Sequence, residues 1–217
     1  MAEALTSIRL SDDKIDIINQ LLLPHTTQWL AIDTIEQAHD AIKTMKVGLA
    51  SLSMRPHRVE PFVFVRQIRG APAIASLAAL SISRHLAMAL RVHDPAPEFL
   101  SSPESLAAHV TPILDFMFTA RPTAVNLGAA TRRLARTLQS SLSKGKDARA
   151  IAEDLIEDGR QVAAEDVGRN KAMAKWGGDW LAEEVKGKGG SGDGLNVLTV
   201  CNTGSLATSV TMPLPLA

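Results

Sequence analysis

Along this chain the apolar positions change period, from two near the N-terminus to about 3.6 further on. Ser7-Ile8-Arg9-Leu10 and Lys14-Ile15-Asp16-Ile17-Ile18 alternate on either side of Ser11-Asp12-Asp13, which predicts a small β-hairpin. Asp33 or Thr34 is placed to cap a helix whose apolar face is Ile35, Ala38, Ile42 and Met45. Pro72 suits the first turn of a helix continuing through Leu90. That helix is nearly apolar all round from Ala73 to Ile82, so it is expected to be buried. Ser102-Pro103-Glu104 starts another, apolar at Leu106, Val110, Ile113, Leu114 and Met117. A further helix follows Pro122 and carries Val125, Leu127, Leu134 and Leu138. A long charged helix is expected from about Asp147 to Lys175, with Ile151, Leu155, Ile156, Val162, Ala163 and Val167 inward. Trp176-Gly177-Gly178-Asp179-Trp180 is expected to break it and start a short helix to Val185.

The glycine-rich run Lys186 to Gly194 then reads as a linker and as the best domain boundary. After it, Leu195-Asn196-Val197-Leu198-Thr199-Val200 is short, apolar and β-branched, as a buried strand is. Cys201-Asn202-Thr203-Gly204 reads as a tight turn leading into a helix. The expected class is therefore α/β. A mainly helical N-terminal domain with a small β-hairpin (1–190) precedes the first strand-turn-helix of a truncated Rossmann-like domain (191–217). A side chain at the carboxyl end of such a strand points into the crevice where α/β sheets bind ligands. Cys201, beside a helix N-terminus, would also ionise more easily. The alternative for Cys201 alone is a small buried hydrophobe.

Composition narrows the function classes. Lys plus Arg equal Asp plus Glu at 23 each, so no global charge draws the chain to nucleic acid or membrane. The expectation is no nucleic acid partner and no membrane, since no apolar run approaches a membrane span. A single cysteine among 217 residues excludes an internal disulfide framework and suits a reducing compartment. Met1-Ala2-Glu3-Ala4-Leu5 lacks the pattern of a secretory signal, which points to the cytoplasm, with the nucleus left open. None of the six histidines sits at metal-ligand spacing, so no metal is expected. Glu157-Asp158 and Glu165-Asp166 read as charge on a solvated helix face. The run from Gly187 to Gly194 lacks the Lys-Ser/Thr ending of a phosphate-cradling loop and precedes a strand rather than following one.

Four ordered stretches carry a more specific signal. They are Gln20-Leu21-Leu22-Leu23-Pro24 with Ala38 to Val47, Arg69-Gly70-Ala71-Pro72-Ala73-Ile74-Ala75, Thr119-Ala120-Arg121-Pro122-Thr123-Ala124-Val125-Asn126, and Leu198 to Thr208 around Cys201. Together they resemble the methylthioribose-1-phosphate isomerases, relatives of the initiation factor 2B regulatory subunits and of ribose-1,5-bisphosphate isomerases. Arg69-Gly70-Ala71-Pro72 joins a cation, a backbone without side chain and a helix start, a combination suited to phosphate. The plainer reading is a helix-entry turn with an exposed arginine, and the same applies to Arg121.

The resemblance implies substrate binding by Arg69, Gly70, Ala71 and Arg121. It gives Cys201 a catalytic role as transition-state stabiliser or proton shuttle, with an aspartate beyond residue 217 as proton donor. The substrate implied is a small sugar phosphate, converted from aldose 1-phosphate to ketose 1-phosphate without metal or organic cofactor. The implied assembly is a homodimer formed largely through the later domain. Two departures from the family pattern are expected to be disruptive. Gly48 to Ile68 stands as an aberrant insertion, and the glycine-rich continuation after Ser209 is replaced by a proline-interrupted ending. The chain as written is expected to be inactive.

Overall fold

The structure is a computed structural model that describes residues 6–11, 14–20, 22–23, 25–43, 68, 70–187 and 206–207. A three-stranded antiparallel sheet lies beside a group of helices. Strands β1 (Ile8–Ser11) and β2 (Lys14–Ile18) form the expected hairpin, with Ile8 opposite Ile17 and Leu10 opposite Ile15. A third strand, β3 (Trp29–Ile32), pairs with the other edge of β2, so the order is β1-β2-β3. Ile15, Ile17 and Ile32 bury one face of the sheet in the core. On the other face the Arg9 guanidinium lies 3.8 Å above the Trp29 ring, a cation–π contact.

Helix α1 (Ile35–Lys43) starts where Thr34 accepts a hydrogen bond from the Gln37 N–H at 3.2 Å, while the Gln37 side chain accepts from the Asp33 N–H. Of the two caps open in the sequence, the side chain of Thr34 is the one used. α2 (Ala71–Arg91) is the central helix, buried without interruption from Ala73 to Ser83. It packs against α1, α4 and α5. By length and composition it would reach across a membrane, which corrects the expectation that no apolar run comes near that length. Yet 72% of its apolar window is buried within the protein, as in a core helix. α3 (Pro103–Thr119) is capped by Ser102, whose hydroxyl accepts from the Ser105 N–H at 3.1 Å. α4 (Val125–Ser143) buries Leu127, Leu134 and Leu138, whereas Val125 in its first turn is 77% exposed.

α5 (Ala148–Gly187) is one helix where the sequence suggested two. Each of Gly177 and Gly178 costs about 1 kcal/mol relative to alanine. Good helix formers flank them, and Lys175 and Asp179 clamp the turn with an ion pair at 2.8 Å. Propagation past a weak residue costs less than nucleating a new helix, so the helix runs on. α2 and α5 approach each other closely at Gly159, where a side chain would collide with the Ser83 hydroxyl and the Ala79 carbonyl. The Ser83 hydroxyl bonds to Ala79 and Ile156 carbonyls, tying the two helices together.

The fold class is mainly helical with a small antiparallel sheet. The strand expected at 195–200, the domain boundary at 190, most of the segment 48–68, Met45 and the side chain of Val167 lie outside the described residues. Ile68, last residue of that segment, is fully buried, and its N–H bonds to the Ala41 carbonyl at 3.3 Å.

Three histidines take part in the packing between helices. His39 of α1 is buried, stacks on Phe116 at 4.1 Å and bonds the Thr119 hydroxyl at 3.1 Å. His85 of α2 and His109 of α3 bring their Nε2 atoms to 2.8 Å, with Phe99 stacked on His109 at 3.8 Å. Burial pushes both imidazoles below their usual pKa. The neighbouring His109 adds to this at His85, and Glu36 partly opposes it. One neutral ring must donate to the other, and protonating both sets two cations against each other. The folded chain thus favours the neutral pair. This contribution is complete above the ordinary pKa of 6.5 and is lost as pH falls below it towards the lowered folded values. Thermal melting followed from pH 7.5 to 5 is expected to show stability falling below about pH 6.5. His109→Gln should flatten that dependence.

Candidate functional site

α2 begins at Gly70, whose φ of 103° and ψ of 134° fall where residues with a Cβ are strained. The Gly70 carbonyl accepts from the Ile74 N–H at 3.0 Å. Pro72 in the first turn has no N–H to offer. The next donor, the Ala73 N–H, gives its hydrogen bond to the Ala207 carbonyl at 3.2 Å. Among the described residues, the N–H groups of Gly70 and Ala71 are the ones at this helix start without a hydrogen-bond partner. Both open donors stand at the positive end of a 21-residue helix, where negative charge is favoured.

Leu206 and Ala207 belong to the same motif as Cys201, and the fold sets them on this helix start. A Cβ on Gly70 would collide with the Ala207 backbone. Gln20, from the stretch after β2, donates its side-chain N–H to the Leu206 carbonyl at 2.9 Å. Three of the four ordered sequence stretches therefore meet here: the first through Gln20, the second through Gly70 to Ala73, the fourth through Leu206 and Ala207. Gln20 carries no role in the sequence reading. It stands in the first of the resembling stretches, and its tie to residue 206 has no local signal.

Arg121 heads the turn between α3 and α4. It is half-buried, and its carbonyl accepts from the Ala124 N–H at 2.9 Å. Among the described residues its guanidinium has no hydrogen-bond or ion-pair partner. Arg69 and Cys201 lie outside the described residues. The fold does bring the helix starts that follow Gly70-Ala71 and Arg121-Pro122 to one cavity of about 350 Å³. Pro72 and Ser76 of α2, Asn126 and Arg133 of α4, and Asp166 and Arg169 of α5 stand on its wall.

Asp158 and Asp166 depart from the reading of Glu157-Asp158 and Glu165-Asp166 as a solvated face, while Glu157 and Glu165 are exposed as it expected. Asp158 is mostly buried and accepts from Arg133 Nε and from the Thr137 hydroxyl, each at 2.7 Å. Glu165 takes the other two nitrogens of the Arg133 fork at 2.7 and 2.9 Å. These bonds hold the Glu165 carboxyl below the usual carboxylate range. They also push the Arg133 guanidinium further up, which fixes it as a permanent cation. Asp166 is 6% exposed and accepts from the Asn170 amide at 3.1 Å. Asp158, Val162, Asp166 and Asn170 recur every four residues, so polar residues complete the inward stripe that Val162 belongs to. Among the described residues no three His, Cys, Asp or Glu side chains converge on a point that could hold a metal.

The fold is a mainly helical unit with a small antiparallel sheet, and two backbone donors are left open at the start of its central helix. Solved structures have the same fold. A 5-methylthioribose 1-phosphate isomerase from Pyrococcus horikoshii superposes with a TM-score of 0.65 at 22% identity, over 95% of this chain and 46% of that one. The delta subunit of the translation initiation factor eIF-2B from A. fulgidus superposes at 0.61 with 30% identity, over 95% and 47%. The profile of the Initiation factor 2 subunit family (IF-2B) matches residues 67–213, and the chain belongs to that family. Among curated proteins it is 62% identical over 207 residues to the methylthioribose-1-phosphate isomerase of Laccaria bicolor, covering 95% of this chain and 48% of the relative. The corresponding protein of Postia placenta is 59% identical over 205 residues, covering 94% and 47%. The chain thus spans about half the length of the curated relatives it matches.

Proposed function

We propose that this chain is the substrate-gripping half of a methylthioribose-1-phosphate isomerase of methionine salvage. The similarity to the Laccaria bicolor and Postia placenta isomerases across nearly the whole chain carries this reading. The open N–H groups of Gly70 and Ala71 support it. In the aldose 1-phosphate the anomeric oxygen is tied up in the ester, so the ring cannot open to a free aldehyde in the ordinary way. The site must hold the phosphate while hydrogen moves between C1 and C2, a task for a positioned acid/base pair in a dry pocket.

In this proposal Gly70 and Ala71 give backbone hydrogen bonds to the phosphate oxygens, and Arg69 and Arg121 neutralise them. Cys201 stabilises the transition state or shuttles the proton. A carboxylic acid supplied by the part of the relatives that this chain does not match donates the other proton. Isomerase turnover then needs both halves. The fold likeness to an initiation-factor subunit favours a second reading, a non-catalytic binding protein.

The test joins this chain to the second half of the Laccaria bicolor isomerase and assays methylthioribose 1-phosphate. Ketose product from the joined protein, with none from the 217-residue chain alone, is the expected result. A folded joined protein without turnover would favour the binding reading. Turnover by the chain alone would overturn the division of labour.

A further inference from the structure

Gln20 stands on a turn that is closed from both sides. β2 ends at the fully buried Ile18, and Asn19 after it is 1% exposed. The Asn19 N–H donates to the Gln28 carbonyl at 2.8 Å, and its carbonyl accepts from the Leu22 N–H at 3.2 Å. The Asn19 side-chain amide donates to the Gln28 side-chain oxygen, also at 3.2 Å. Gln28 immediately precedes β3, so the turn is tied to the sheet at both ends. From this mount the Gln20 amide reaches the Leu206 carbonyl, 186 residues further along the chain.

Leu206 and Ala207 offer consecutive carbonyls, and two different elements hold them. Gln20 takes the first at 2.9 Å, and the Ala73 N–H of α2 takes the second at 3.2 Å. A single hydrogen bond lets a segment pivot about it. Two, one from beside the sheet and one from a helix, fix its direction as well as its place. Ala207 is 3% exposed and rests where Gly70 has no Cβ, so packing supports the same placement. Cys201 precedes Leu206 by five residues, and five residues span at most about 18 Å. Whatever holds Leu206 therefore limits where the thiol can be relative to the open N–H groups of Gly70 and Ala71. Reacting groups need placing to within about 0.5 Å, which is the work of supporting hydrogen bonds of this kind.

We propose that Gln20 is a positioning residue for the isomerisation: by holding Leu206 against the start of α2, it sets the Cys201 thiol in register with the phosphate grip. This inference rests on the isomerase reading for the role of the thiol, and adds the group that aligns it. In this role Gln20 touches neither the phosphate nor the reacting carbons, so its loss falls on kcat and spares KM. A purely structural tie would instead lower stability and leave kcat per folded molecule unchanged.

Gln20→Met tests it, because methionine keeps the length of the side chain and loses the donor. In the joined protein kcat should fall about 10- to 100-fold, the scale of a small misplacement, with KM for methylthioribose 1-phosphate within about threefold of the parent. The melting temperature should drop by no more than about 4 °C, as for one partly exposed hydrogen bond. Gln20→Glu, which has the same shape with an acceptor in place of the donor, should match Gln20→Met at neutral pH. A second readout needs no turnover. Cys201 is the only cysteine of the 217-residue chain, so alkylation by iodoacetamide reads that thiol alone. Its pH–rate profile in the folded chain should differ from that of the same chain in denaturant. Gln20→Met, still folded by circular dichroism, should move towards the denatured profile.

An active parent whose kcat is unchanged by either substitution overturns the inference and leaves the isomerase reading standing. A rise in KM alone overturns it too, since Gln20 would then be a binding residue. A folded joined parent without turnover counts against the isomerase reading instead. The alkylation profiles then decide whether Gln20 holds the thiol, and profiles of parent and Gln20→Met that coincide overturn it.

Discussion

Gly70→Ala should unfold the start of α2 and release residues 206–207 from it. The backbone there has φ of 103°, which costs an alanine about 1–3 kcal/mol. The added methyl would also collide with the Ala207 backbone, so the strain cannot relax without breaking the Ala73–Ala207 hydrogen bond. Together these predict a loss of at least about 2 kcal/mol, or a melting temperature lowered by about 4–8 °C for a chain of this size. Hydrogen exchange at the Ala73 amide should accelerate, because its acceptor leaves. Differential scanning calorimetry and exchange on the same sample check both, and an unchanged melting temperature would show that residues 206–207 do not rest on this helix.

Cys201→Ser in the joined protein should lower kcat by about 10²–10⁴ while the melting temperature stays within 1–2 °C of the parent, as expected for a positioned proton-transfer or stabilising group. Serine keeps the size and a hydrogen-bonding atom but not the easily lost proton, so the loss should fall on kcat rather than on KM. A change confined to KM would make Cys201 a binding residue. A drop in stability without a drop in kcat would return it to the role of a buried small hydrophobe.

How far the chain could be read in advance depended on whether the deciding signal was local. The hairpin around residues 11–13 and all five helices announce themselves by period, and Ser102 and Pro72 mark where two of them start. β3 was missed because Trp29-Leu30-Ala31-Ile32 has no alternation and only four residues; it is a strand because the free edge of β2 pairs with it. The continuity of α5 through Gly177 and Gly178 reflects cooperativity that single-residue propensity understates. Asp158 and Asp166 were read as solvated because acidic residues usually are. Asp158 is held by Arg133, 25 residues away in the chain, and both aspartates lie on a helix stripe in which only Val162 looked apolar. The pairing of His85 with His109 is likewise a product of tertiary packing.

At the candidate site, the resemblance to a known family singled out Gly70 and Ala71. In the structure their N–H groups are the donors left over at the start of α2 once Pro72 offers none and Ala73 is taken by Ala207. Arg121 shares a neighbourhood with them only through the cavity that its helix borders.

The most direct test of this account is amide chemical-shift mapping of the joined protein, labelled with ¹⁵N at glycine and alanine, during titration with methylthioribose 1-phosphate. The Gly70 and Ala71 resonances should move together and saturably, the Ala73 resonance should move least of the three, and unphosphorylated methylthioribose should leave all three in place. Saturable binding of the phosphate ester with Gly70 and Ala71 unmoved would contradict the assignment of the α2 start as the phosphate grip.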